Sequence, residues 1–132
     1  MIAECVPSFH PMPSHRILYV GHDLVLLVYL HGALEDCLTV RCPGGSVART
    51  LIESRIRYSL LLLDEELPDT TGRQVARFIK GVQHREHMPI IILSASKAEF
   101  VCPGVFLEKP DNLKLIVKAI NRLLALDTNA EG

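Results

Sequence analysis

Apolar residues along this chain fall into short runs, separated by segments patterned at three- and four-residue steps. Five runs have the length and composition of strands: residues 16–20 (RILYV), 37–41 (CLTVR), 58–63 (YSLLLL), 90–93 (IIIL) and 105–107 (VFL). The third is the clearest, because Leu60 to Leu63 read as a strand buried on both faces. Between the runs lie helical segments. Residues 23–35 are strongly apolar, with Gly32 near the end, and read as core packing from Leu24 to Leu30. Pro43-Gly44-Gly45 is a turn, and Ser46 is placed to cap a helix over 47–56. Residues 72–84 put Val75, Ala76, Phe78, Ile79 and Val82 on one face. Met88-Pro89 breaks the chain before the fourth strand. Asp111 caps a last helix in which Leu113, Ile116, Val117, Ile120, Leu123 and Leu124 recur at helical spacing.

Strands alternating with helices imply right-handed crossovers and a parallel sheet covered on both faces. Five strands in 132 residues point to one flavodoxin-like (βα)5 domain with strand order 2-1-3-4-5. The domain is expected over residues 16–126. A proline-containing flexible leader covers 1–15, and a frayed tail covers 127–132. Aromatics are only 5% of the chain against 48% hydrophobic residues, so the core is expected to be aliphatic. Net charge is -1 and no basic stripe occurs, which argues against a nucleic-acid surface. Cys5, Cys37, Cys42 and Cys102 form no Cys-x-x-Cys and read as reduced thiols of a cytoplasmic protein. No long uncharged apolar stretch suggests a membrane span.

Candidate chemistry gathers at the strand ends. The apolar third run stops at Asp64, and a polar loop with Pro68 and Gly72 follows. The fourth run ends at Ser94 and the fifth leads to Lys109-Pro110. In an open parallel sheet these positions share the carboxyl edge. A carboxylate can act there as nucleophile, while a hydroxyl and an ammonium hold phosphoryl oxygens. Asp64 within LLLLDEELPDTTG, Ser94 within IIILSAS and Lys109 within FLEKP together resemble the receiver domains of response regulators. The resemblance spans roughly residues 16–126. It implies that Asp64 is the phosphoacceptor, that Ser94 and Lys109 bind the phosphoryl group, and that Phe106 is the aromatic switch.

Two departures qualify the resemblance. Receivers end the first strand with an acid pair that holds Mg2+. Gly21 and His22 stand at those positions here. Mg2+ wants oxygen ligands, so the candidate set becomes Asp23, Asp64 and Glu66, with Glu65 as an alternative to Glu66. A protonated His22 standing in for the cation is the other option. Secondly, only residues 95–104 separate the fourth and fifth strands, which predicts a shortened fourth helix. Glu65 and Glu66 otherwise read as solvated loop charges, and Arg41, Arg49, Arg55 and Arg57 as a solvated helix face, with a basic docking patch as the alternative.

The resemblance implies a stand-alone, atypical receiver in two-component signalling that is not itself an enzyme. Its partners would be a histidine kinase or phosphotransfer protein and a downstream protein, with the chain a monomer or weak dimer. The alternative is a pseudo-receiver that binds partners without phosphorylation. A small flavodoxin-like ligand-binding protein is the third reading, weakened because no Gly-rich phosphate loop follows the first strand.

Overall fold

The computed structural model describes residues 14–95, 105–108 and 113–131. Five parallel strands form one sheet in the order β2-β1-β3-β4-β5. They are β1 His15–Val20, β2 Cys37–Cys42, β3 Leu60–Asp64, β4 Ile90–Ser94 and β5 Val105–Glu108. The helices are α1 Leu24–Ala33, α2 Gly45–Glu53, α3 Gly72–Lys80 and α4 Lys114–Glu131, with a 3-10 turn at Gln83–Arg85. The expected topology is therefore present. The region of the shortened fourth helix, the Asp111 cap and Lys109 lie outside the described residues. Helix α4 runs to Glu131.

Side-chain alternation divides the core between the two faces of the sheet. Leu18, Val20, Leu61, Leu63, Ile90 and Ile92 pack with Ile52, Val75, Ala76 and Ile79 of α2 and α3. Ile17, Tyr19, Leu60, Leu62, Ile91 and Leu93 pack with Leu26 and Leu30 of α1 and Ile116, Ile120 and Leu124 of α4. This is the period-2 rule of strands, with both faces apolar because both are covered.

Several local expectations are corrected. Ser46 does not cap α2. The cap position is Gly44, and the carboxylate of Asp69 supplies the acceptors from the loop after β3. Asp69 Oδ1 accepts from Gly45 N at 2.9 Å and Oδ2 from Ser46 N at 2.8 Å. Helix α2 stops at Glu53, and the α3 segment stops at Lys80, where Gly81 follows. The apolar run of α1 is not all core. Leu26 and Leu30 are buried, whereas Leu24, Val25 and Val28 are 58%, 73% and 70% exposed. A helix that is apolar all round cannot bury every face against one sheet.

Arg85 closes the opposite end of α2. Its guanidinium is buried and donates to the carbonyls of Ile52 at 3.0 Å and Ser54 at 3.0 Å, and also to that of Ile56. It lies over the Tyr58 ring, 5.3 Å from the centroid. The carbonyls at a helix C-terminus carry partial negative charge, so a cation is favoured there.

Candidate functional site

Asp64 is the last residue of β3 and pairs with Leu93, one residue before Ser94 at the end of β4. On the other side Leu63 pairs with Val20, so Gly21 stands opposite Asp64. Asp64 is half-buried, and Ser94 is 6% exposed. The sheet thus brings Gly21, Asp64 and Ser94 to adjacent strand ends, as expected. Phe106 lies in β5 and pairs with Ile92.

The Asp64 carboxylate is met by a residue the sequence reading did not single out. Tyr19 has no exposed surface, yet its hydroxyl donates to Asp64 Oδ1 and Oδ2 at 3.2 and 3.1 Å. The same oxygen accepts from Asp23 N at 3.1 Å. The reason is strand geometry. Tyr19 is in register with Leu62, and Asp64 is two residues further along β3, on the same face. Two residues of strand span about 6.6 Å, which is the reach of a tyrosine ring laid along the sheet. Burial raises the Tyr19 phenol well above its usual range, and the neighbouring carboxylate adds to that rise. The group is therefore a neutral donor at every physiological pH.

His22 contributes through its backbone. Its N–H donates to Asp64 Oδ2 at 3.3 Å, while its ring Nδ1 accepts from Arg41 at 3.4 Å. The imidazole is turned to Arg41, which differs from the expected cation substitute. Arg41 Nε also donates to Gly21 O at 2.9 Å, so this exposed side chain also holds the backbone at the end of β1. Space beside Gly21 is already taken. A Cβ there would lie 2.3 Å from Asp64 Oδ2 and 2.5 Å from the Tyr19 hydroxyl.

The loop acids have other partners. Asp23 is the N-cap of α1, with Oδ1 accepting from Leu26 N at 3.0 Å. Glu65 is buried, contrary to expectation, and is paired with Arg73. Its Oε1 accepts from Arg73 N at 3.1 Å and its Oε2 from Arg73 Nε at 2.9 Å. Glu66 is exposed and forms an antiparallel bridge with Thr71. Gly72 allows close approach of α3, since a Cβ would lie 2.6 Å from Asp64 O.

Among the described residues, no three His, Cys, Asp or Glu side chains come together as a metal site. Asp23, Asp64 and Glu66 are not assembled into the expected Mg2+ ligand set. Gly21 offers no donor, and His22 offers a nitrogen that is itself engaged. At the two positions of the acid pair the described residues therefore supply no side-chain oxygen, the ligand type that Mg2+ requires.

A groove of about 510 Å³ lies between His15, Leu34, Cys37, Asn121 and Leu124. It sits where β1 and β2 begin, at the end of the sheet opposite Asp64. No described helix is long and apolar enough to cross a membrane.

No family model and no curated sequence matches the chain. Solved structures do. The receiver domain of HemR from Leptospira biflexa, in its non-phosphorylated form, is 26% identical, with a TM-score of 0.72 over 84% of this chain and 94% of that one. A response regulator receiver protein from Sinorhizobium medicae is 24% identical, with a TM-score of 0.72 over 87% and 98%. The receiver domain of the sensor histidine kinase PA1611 from Pseudomonas aeruginosa is 22% identical, with a TM-score of 0.70 over 84% and 98%. That neighbour holds a magnesium ion in its active-site cleft.

Proposed function

The chain has the receiver-domain fold, and we propose that it serves as a receiver-type signalling module that acts by binding a partner protein. In this reading Asp64 is held by hydrogen bonds and not by a metal ion. The observation that carries the reading is the Tyr19 hydroxyl on both oxygens of Asp64. It supplies a neutral donor that fixes the carboxylate. The chain is then a pseudo-receiver, with no catalytic turnover of its own. The groove lies at the amino ends of the strands, and ligands of open α/β sheets bind at the carboxyl ends. That placement lends the small-ligand reading no support.

A second reading keeps phosphoryl chemistry. Asp64 retains some exposure at a strand end, and Ser94 is buried at the end of the next strand. A histidine kinase or phosphotransfer protein would then donate a phosphoryl group to Asp64. The Asp64 oxygen would form the new P–O bond as the bond to the donor breaks, with Ser94 and Lys109 holding the phosphoryl oxygens.

Incubation with acetyl phosphate, with and without Mg2+, followed by intact-mass measurement separates the two. The pseudo-receiver reading expects no adduct on folded protein in either condition. A Mg2+-dependent phosphoryl adduct that is absent from Asp64→Ala would establish the second reading instead.

A further inference from the structure

Tyr19 touches two structures at once. Its hydroxyl donates to Asp64 and accepts from the backbone N–H of Asp23, the N-cap of α1. Asp23 in turn carries the first turn of the helix: Oδ1 accepts from Leu26 N at 3.0 Å and its carbonyl from Leu27 N at 3.1 Å. A continuous chain of hydrogen bonds therefore runs from the carboxylate of Asp64 to the start of α1. Every member except Asp64 lies in one stretch of chain, residues 19–27.

We propose that Tyr19 couples the state of Asp64 to the order of the first turn of α1. When Asp64 offers two anionic acceptors, the phenol is fixed between them and Asp23 N. When those acceptors are removed, a buried hydroxyl loses its partner and the ring has reason to reseat. Reseating withdraws the acceptor from Asp23 N, and the cap weakens. Leu24 and Val25, the exposed apolar residues of that turn, change their presentation as a result. The route runs through β1 and the start of α1. It deepens the signalling reading by naming an exit from the site, but it depends only on which atoms accept from Tyr19. It therefore stands or falls independently of whether Asp64 is ever phosphorylated.

The test is amide hydrogen exchange on the full chain for wild type, Asp64→Ala, Tyr19→Phe and the double variant. Coupling predicts that Asp64→Ala speeds exchange at Asp23 and Leu26 by about tenfold, the scale of one net hydrogen bond, although neither amide touches Asp64. Tyr19→Phe should do the same, and the double variant should stay near tenfold and not near a hundredfold, because one link has been cut twice. Protection of the β3 and β4 amides reports an intact fold in each variant. Asp64→Asn, which keeps one acceptor and the side-chain shape, should fall between wild type and Asp64→Ala, and it serves if the alanine variant misfolds.

Tyrosine emission gives a second readout, since the chain has no Trp and only three Tyr. A carboxylate acceptor quenches tyrosine, so Asp64→Ala should brighten the protein and Tyr19→Phe should leave its emission nearly unchanged. Unchanged α1 exchange in folded Asp64→Ala would overturn the coupling. So would strict additivity in the double variant.

Discussion

Restoring an acid at Gly21 is the simplest route to a metal site by sequence, and the structure predicts that it fails. A Cβ at Gly21 would lie 2.3 Å from Asp64 Oδ2 and 2.5 Å from both Asp64 Cγ and the Tyr19 hydroxyl. Ordinary contact begins near 3.5 Å, so the neighbours must retreat by about 1 Å. Overpacking of this kind costs about 1–3 kcal/mol. Gly21→Asp adds a second carboxylate beside Asp64, and like charges about 4 Å apart repel by about 1–4 kcal/mol between water-like and surface dielectric. The combined loss is about 2–5 kcal/mol, with the upper sums reduced by side-chain rotation toward solvent. A chain of 132 residues unfolds with an entropy of about 0.28 kcal/mol/K, so Tm falls by about 7–18 °C. Gly21→Ala isolates the steric part and should fall by the smaller amount.

The assay is thermal unfolding with and without Mg2+. A competent site held at ten times its Kd would return about 1.4 kcal/mol, or about 5 °C. The expected return is none. A Gly21→Asp protein as stable as wild type, or one that Mg2+ stabilises by that amount, would refute the claim that Tyr19 and Asp64 fill the space.

Three further outcomes follow from the geometry. Arg85→Met should cost about 2–4 kcal/mol in denaturant unfolding, because it strips charge-assisted bonds from carbonyls at the end of α2, and Arg85→Lys should recover less than half of that, since one ammonium cannot span the fork. A neutral Arg85→Lys would contradict the role given to the guanidinium geometry. The backbone N–H groups of Gly45 and Ser46 hold the Asp69 carboxyl below its usual range. A depressed carboxylate stabilises above its unfolded pKa and loses that contribution as pH falls through the folded value. The stability gap between wild type and Asp69→Ala should therefore be constant above about pH 5 and shrink as pH falls below about 4. Burial pushes the Cys42 thiol up to about 11, so peptide mapping after iodoacetamide at pH 8 should find Cys42 unlabelled in native protein and labelled in denaturant.

A parallel sheet covered on both faces was readable because the apolar runs of β3 and β4 read as buried parallel strands and the alternating helices leave one handedness of crossover, whereas the strand order came with the flavodoxin-like pattern and not from the residues. Asp64 and Ser94 were readable as strand-end residues for the same reason. Tyr19 was not, although its signal was present in RILYV. An aromatic near a strand end reads as core until the register places Asp64 two residues beyond its direct neighbour Leu62, on the same face. Asp69 and Arg85 were hidden for a different reason. Each satisfies the backbone of α2 from a distant segment, and a helix-end pattern looks only at nearby residues such as Ser46. Glu65 was misread as solvated because its partner, Arg73, lies eight residues away across the turn into α3. The exposed face of α1 was missed because composition alone cannot say how many faces a helix can cover.

The tether between Asp69 and α2 has a consequence for how this protein opens. The loop after Asp64 is tied at one end to Arg73 through Glu65 and at the other to the first amides of α2. Arg85 then binds the far end of that helix to the chain entering β4. From Gly45 to Arg85 no terminus is left free to fray alone. Local unfolding in proteins proceeds by cooperative blocks. The tethers join α2, β3 and α3, so the loop beside Asp64 is expected to open with them as one block and not as a hinged flap.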